Sequence, residues 1–180
     1  MRREKWLLLL GVALLVILVD QVSKAIIVAN LDLYEEWAPI EALRPLFVIT
    51  HVTNTGAAFG ILQGGNTLFQ IVAIVVVFVI LYFYHQLTDR VWLLRVALGL
   101  QLGGAAGNLI DRLRQGYVVD FLHLKFWPVS NVSDVCIVAG VGLLLIVMWR
   151  EDRRRASMRP ADTPPDEVAS DDEPASAAHQ

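Results

Sequence analysis

Residues 6–28 read WLLLLGVALLVILVDQVSKAIIV, an apolar run that is interrupted near its end by two charged residues, Asp20 and Lys24. A helix rises about 1.5 Å per residue and the hydrocarbon core of a bilayer is about 30 Å thick, so the run is long enough to cross a membrane. Asp20 and Lys24 are four residues apart and can form an ion pair on one side of a helix. The run therefore predicts a transmembrane helix with a charged pair near one end.

Three further apolar runs occupy residues 68–84, 91–110 and 135–149. Of the 180 residues in the chain, 56% are hydrophobic and 18% are charged, which is too apolar for an ordinary soluble domain. The single cysteine excludes an internal disulfide framework. We therefore predict a membrane all-α bundle of four transmembrane helices within residues 1–155.

The two longer connections between these runs predict a small β-rich cap at one end of the bundle. Residues 29–67 include the β-branched stretch Leu46–Thr53, and residues 112–133 include an alternation of side chains over Val118–Lys125. Both patterns are typical of short strands. We expect the two connections to form one cap.

Basic residues beside the apolar runs predict the orientation of the bundle. They precede the first run and follow the last one, at Arg2, Arg3, Lys5, Arg150, Arg153, Arg154 and Arg155. Because Lys and Arg are enriched on the cytoplasmic side of membrane helices, we expect both termini in the cytoplasm and the cap outside. Alternatively, the first run is a cleaved signal peptide, but Asp20 and Lys24 fall where a cleavage region should be neutral.

The charges are unevenly distributed along the chain. Residues 1–160 carry 15 basic and 12 acidic side chains, whereas residues 161–180 carry six acidic side chains and no basic ones. Residues 156–180 are rich in Pro, Ala, Ser, Asp and Glu and have no apolar periodicity. Such a composition predicts a disordered acidic tail on the cytoplasmic side.

Polar residues collect where the predicted helices meet the cap. Asn108, Asp111 and Arg112 lie on one helical face at the end of the third run. Asp134 lies just before the fourth run, and Asp120 and Asn131 lie in the connection between the two runs. Each has an ordinary structural interpretation; Asp134, for example, can cap a helix N-terminus. Ionisable residues inside a membrane are nevertheless candidates for function.

The residue types at this end permit peptide hydrolysis by two carboxylates. The chain has no HExxH zinc motif and no GxSxG elbow, and its four histidines are scattered. Two aspartates held close together cannot both ionise, so they share a proton and supply one base and one acid. We interpret Asp120 and Asp134 as such a pair, with no metal and no cofactor. Two alternatives stay open, a proton-coupled membrane transporter and a noncatalytic membrane assembly subunit.

Five blocks of sequence carry a resemblance to a known family. They are Asp20 with Lys24, NTGAAFG at residues 54–60, GGAAGNLIDR at residues 103–112, VVDF at residues 118–121 and NVSD at residues 131–134. In these blocks and their order, the chain is similar to the lipoprotein signal peptidases (signal peptidase II). It differs from the family at Ser133, where members carry Ala, and at Ser130, where they usually carry Phe.

The resemblance implies an intramembrane aspartyl endopeptidase that removes the signal peptide from diacylglyceryl-modified prolipoproteins, cutting just before the lipid-modified cysteine. It implies that Asp120 and Asp134 are catalytic and that Asp20 and Lys24 are structural. The supporting or substrate-binding residues that it implies are Asn54, Gly56, Ala57, Phe59, Asn108, Asp111, Arg112 and Asn131. We expect a monomeric, multi-pass protein of the bacterial inner membrane, surrounded by lipid, with its active site near the outer face and no nucleic-acid partner.

Overall fold

The computed structural model describes residues 2–56, 66–86 and 92–158. Within these ranges the chain forms four long helices, α1 Arg2–Asn30, α2 Asn66–Gln86, α3 Trp92–Gln115 and α4 Val132–Met158. Each contains a span that is long and apolar enough to cross a membrane. The prediction of four such helices is confirmed for this part of the chain.

The helices are longer than the apolar runs that predict them. At the end of α1, the Asn30 side-chain amide donates to the Ile26 carbonyl oxygen at 2.7 Å, one turn earlier in the helix. α4 continues to Met158, so residues 156–158 are helical although we predicted them to belong to the tail. The sequence between the apolar run and Met158 is rich in arginine, which has a high helix propensity and favours this extension. Residues 159–180 lie outside the described ranges.

The chain divides into two compact units, residues 1–147 and residues 148–180. The first unit holds the helical bundle and the sheet. The described part of the second is the last portion of α4, in which the Arg153 guanidinium lies 4.3 Å from the centre of the Trp149 ring. Only the first unit carries the polar residues that we considered for function.

Helix α3 is the central helix of the bundle. In the membrane-spanning windows, 44% of α3 is buried inside the protein, against 11–22% for the other three helices. Gly99 and Gly103 face α1 so closely that a Cβ on Gly103 would lie 2.7 Å from the Ala13 carbonyl oxygen. On α4, Gly140 meets the Ala97 carbonyl oxygen in the same way. Small residues thus let the helices approach, as we expected for the glycines of α3.

Large apolar side chains cover the outside of the bundle. Leu7, Leu14, Phe78 and Val138 are each more than 60% exposed. A smaller apolar cluster joins α1, α2 and α3 inside the bundle, and it consists of Leu9, Ala13, Ile80, Tyr84 and Leu102. The buried polar residues lie at one end of the bundle instead, where the sheet is. An apolar exterior of this kind suits lipid rather than water.

A three-stranded antiparallel sheet lies at the end of the bundle where α1 and α3 end and α4 begins. The strands β1 Glu36–Trp37, β2 Phe47–Asn54 and β3 Val118–Leu124 are arranged in the order β1-β2-β3. The two predicted strand segments therefore pair with each other, with Val52 opposite Asp120. Gly116, at φ 83°, turns the chain from α3 into β3, a conformation that glycine adopts without strain.

Candidate active site

Asp120 lies in the middle of β3 and is 2% exposed. Its two carboxylate oxygens accept hydrogen bonds from two asparagine side chains: Oδ1 from Asn131 Nδ2 at 2.6 Å, and Oδ2 from Asn54 Nδ2 at 2.8 Å. Asn54 is the last residue of β2, next to β3 in the sheet. The pairing of the two strands therefore brings this donor to Asp120.

Asp134 lies in the first turn of α4 and takes part in its N-terminal cap. Asn131 Oδ1 accepts from the Asp134 backbone N–H at 3.0 Å, and Asp134 Oδ2 accepts in return from the Asn131 backbone N–H at 3.3 Å. This reciprocal pattern is a capping box, with Asn and Asp in the two positions. Asp134 Oδ1 accepts from Asn108 Nδ2 of α3 at 2.8 Å. The ordinary role of Asp134 at a helix start is present, but it occupies only one of the two oxygens.

Asn131 contacts both carboxylates, because its side-chain amide donates to Asp120 and its backbone N–H donates to Asp134. The same amide nitrogen also donates to Asn108 Oδ1 at 3.1 Å, and Asn108 donates to Asp134. Asp120 and Asp134 are thus held in one hydrogen-bonded cluster, although they are distant in the sequence.

Beside this cluster lies a second pair of carboxylates, Asp20 and Asp111, with Lys24 between them. Lys24 Nζ lies 2.8 Å from Asp20 Oδ2 and 2.8 Å from Asp111 Oδ2, and it donates to Asn108 Oδ1 at 3.1 Å. The ion pair predicted within α1 is therefore present, and Asp111 of α3 shares the same cation. All three charged residues are at most 4% exposed.

Two residues that we did not predict complete this second group. Gln21 Nε2 donates to Asp111 Oδ1 at 2.8 Å, and the Ser133 backbone N–H donates to Asp20 Oδ1 at 2.9 Å. Gln21 is a polar residue inside an apolar run, and this feature of the sequence could have identified it as a member of the polar cluster. Nothing in the sequence around Ser133 indicates that its backbone meets α1.

The charges differ between the two pairs of carboxylates. In the described part of the chain, Asp20 and Asp111 are ion-paired with Lys24, whereas neither Asp120 nor Asp134 forms an ion pair. Burial, followed by the nearby charge of Asp134, raises the pKa of Asp120 to about 7. Asp120 therefore gains or loses its proton near neutral pH.

Arg112 lies on the α2 side of the cluster, at the end of α3. Its guanidinium is 5.4 Å from the centre of the Phe69 ring, and its Nη atoms approach the carbonyl oxygens of Asn108 and Gly56 at 3.5 and 3.4 Å. The Gly56 backbone N–H donates to Asn54 Oδ1 at 2.9 Å. These contacts connect the end of β2 to α3 beside Asp120.

The structure brings together ten of the twelve residues that we predicted for the site. They are Asp20, Lys24, Asn54, Gly56, Asn108, Asp111, Arg112, Asp120, Asn131 and Asp134. The other two, Ala57 and Phe59, lie outside the described residues. The arrangement offers two carboxylates with amide donors and no ion-pair partner among the described residues, and a second pair of carboxylates that shares the Lys24 cation.

The chain is similar to known proteins in both sequence and structure. The family model described as signal peptidase (SPase) II matches residues 12–150. The lipoprotein signal peptidase of Moorella thermoacetica is 46% identical over 77% of this chain and 88% of its own, and that of Symbiobacterium thermophilum is 44% identical over 79% and 94%. A solved bacterial membrane enzyme superposes with a TM-score of 0.73 at 30% identity, covering 87% of this chain and 94% of its own.

The fold and the matches define a multi-pass membrane peptidase. More narrowly, the chain belongs to the signal peptidase II family, as its match over residues 12–150 shows.

Proposed function

We propose that the chain is an aspartic endopeptidase that removes the signal peptide from diacylglyceryl-modified prolipoproteins, cutting just before the lipid-modified cysteine. The substrate is suggested by the relatives, which are named lipoprotein signal peptidases. The observation that carries the mechanism is that Asn131 contacts both Asp120 and Asp134, while Lys24 forms ion pairs with the other two carboxylates. Asp120 and Asp134 are then the catalytic residues.

Two uncompensated carboxylates in a buried cluster hold one proton between them up to about neutral pH. The ionised carboxylate removes a proton from a water molecule, whose oxygen attacks the carbonyl carbon of the scissile bond. The protonated carboxyl first donates a hydrogen bond to the carbonyl oxygen of that bond. When the carbon–nitrogen bond breaks, a proton passes to the leaving nitrogen. The products are a signal peptide with a free carboxylate and a lipid-modified cysteine with a free amino group.

The other polar residues have structural roles in this proposal. Asn54, Asn108 and Asn131 orient the two carboxylates through the hydrogen bonds described above. Lys24 bridges Asp20 and Asp111 and offsets part of their negative charge, so that α1, α3 and the start of α4 stay together. Arg112 and Gly56 lie on the side of α2, where a substrate would enter from the bilayer.

We place the protein in the bacterial inner membrane with both termini in the cytoplasm and the sheet outside. The basic residues that support this orientation lie at the start of α1 and the end of α4, whereas the sheet lies where α1 ends and α4 begins. The orientation can be tested at Tyr34, which lies beside the sheet and is 68% exposed. A membrane-impermeant thiol reagent should label Tyr34→Cys in intact spheroplasts, in a Cys136→Ser background. Labelling only after the cells are lysed would reverse the orientation.

The pKa of Asp120 predicts how cleavage depends on pH. Since activity needs one proton on the pair, kcat/KM should fall as the pH rises above about 7. The hydrogen bond from Asn54 stabilises the ionised form of Asp120 and lowers its pKa. Replacing Asn54 with Leu removes that donor, so the pKa rises and the alkaline limb of the profile should move to higher pH.

The measurement is kcat/KM for a lipid-modified precursor peptide between pH 5 and pH 9, chosen as roughly two units on either side of the Asp120 pKa. Gln115→Leu, which removes an amide at the exposed end of α3, serves as the control and should leave the limb in place. A limb that moves to lower pH in Asn54→Leu would contradict the proposed protonation state.

A further inference from the structure

A cavity of about 220 Å³ lies between α2, α3 and α4, directly below the carboxylate cluster. Its walls are mostly apolar, and the residues that matter here are Phe69, Val72 and Val76 of α2 and Gln101, Asn108 and Arg112 of α3. Because Asn108 lines the cavity and also donates to Asp134, the cavity borders the candidate active site. It is smaller than the roughly 300–1,000 Å³ of pockets that enclose a whole drug-sized ligand, so it suits one or two large apolar side chains.

Two residues of the cavity wall carry buried N–H groups without a hydrogen-bond partner among the described residues. They are Gln101 through Nε2 and Arg112 through Nε. A buried donor that lacks an acceptor is costly and calls for an explanation. The explanation for Gln101 is the harder one, because the α2 and α4 side chains that line the cavity are apolar and offer no acceptor.

The depth of Gln101 restricts which acceptor it can meet. Gln101 precedes Asn108 by seven residues on α3, so it lies about 10 Å further into the membrane than the carboxylate cluster. A diacylglyceryl group has its ester oxygens close to the modified cysteine, and deeper in the membrane it offers only methylene groups. At the level of Gln101, a bound substrate presents acceptors only through the main chain of the signal peptide.

The end of a helix is where such acceptors are free. The last four carbonyl groups of any helix have no partner within it, and a bilayer offers none. A signal peptide that reaches the active site as a membrane helix must unwind or end just below the scissile bond. The unpaired carbonyl groups of the signal peptide then lie at the depth of Gln101, beside a cavity that fits the apolar side chains of the peptide.

We propose that Gln101 is a substrate-binding residue, whose Nε2–H donates to a main-chain carbonyl at the C-terminal end of the signal peptide while apolar side chains of that peptide fill the cavity. This inference rests on the proposed function and identifies the part of the substrate that the cavity holds. It makes Gln101 a contact for the peptide and not for the acyl chains.

The first test is kinetic and uses Gln101→Met, which keeps the length of the side chain and removes the amide. With a diacylglyceryl-modified precursor peptide, KM should rise about 2- to 13-fold, the value of one hydrogen bond, while kcat stays unchanged. Gln115→Met, the same change at the exposed end of α3, is the matched control and should leave KM unchanged. An unchanged KM in Gln101→Met, with wild-type cleavage intact, would overturn the inference and leave the proposed function standing.

The second test is independent of cleavage and uses the Asp134→Asn variant with a bound precursor. A photoreactive leucine in the last turn of the signal peptide should form adducts with α2 or α3 residues of the cavity. Ala73→Leu, which fills the cavity from α2, should reduce those adducts. Adducts in the cavity that arise instead from a photoreactive acyl chain would show that lipid occupies it and would refute the inference.

Discussion

Asp120→Asn and Asp134→Asn should each reduce the rate of precursor cleavage by about 10³-fold or more, with the fold intact. Asparagine has nearly the shape of aspartate but cannot exchange a proton, and acid–base catalysis by one such group contributes roughly 10²–10⁴-fold. Since the proposed pair acts as a unit, the double variant should be little slower than either single variant. The measurement is the single-turnover cleavage rate of a diacylglyceryl-modified precursor by purified protein.

Asp32→Asn is the matched control, because Asp32 is an exposed carboxylate at the same end of the bundle. It should cleave at the wild-type rate. Thermal unfolding of all variants in the same detergent separates loss of chemistry from loss of fold. Near-normal cleavage by either Asp120→Asn or Asp134→Asn would exclude the two-aspartate mechanism, and the membrane peptidase would need another catalytic group.

Lys24→Met should lower the free energy of unfolding by about 3–5 kcal/mol. Lys24 is 4% exposed and is the shared cation of Asp20 and Asp111. Removing one partner of a buried ion pair leaves the other partner charged and unpaired in a medium of low dielectric constant. Such an unpaired buried charge strongly destabilises the folded protein. The measurement is reversible unfolding in detergent micelles or bicelles.

The chain supplies a matched control for this prediction in Lys125, which lies 2.7 Å from Glu36 at the edge of the sheet. Both side chains of that pair are about one-third exposed, so solvent screens it and Lys125→Met should cost at most about 1 kcal/mol. Adding Asp111→Asn to Lys24→Met should recover part of the lost stability, because one of the stranded charges is removed. Equal effects of Lys24→Met and Lys125→Met would show that the buried cluster does not depend on its cation.

The four carboxylates of the cluster differ in the partners that they contact, and this difference makes the cluster suitable for acid–base chemistry. A cation in direct contact holds a carboxylate ionised, and Lys24 contacts Asp20 and Asp111, whereas its charge lowers the pKa of Asp120 without forming an ion pair with it. Asparagine side chains position the remaining two acids with neutral donors. In the proposed mechanism the pair shares one proton, while Lys24 holds α1 and α3 together through Asp20 and Asp111.

Local patterns in the sequence were sufficient to predict the membrane spans, the two main strand segments and the collection of polar residues at one end of the bundle. The length of an apolar run decides whether a helix crosses a bilayer, and a spacing of four residues decides that Asp20 and Lys24 meet. β-branched residues identified most of β2, and alternating side chains identified β3. These are properties of neighbouring residues, so they can be inferred before any long-range contact is known.

Contacts between distant parts of the chain depend on how the helices and strands pack together. Asp111 shares Lys24 because glycines on α3 let α1 approach, and the Ser133 N–H reaches Asp20 across a separation of 113 residues. The bond from Asn131 to Asp120 likewise requires β3 to lie beside the start of α4. Which carboxylates contact a cation, and which contact only amide donors, follows from distances between side chains on different helices and strands. Residue spacing along the chain does not encode those distances.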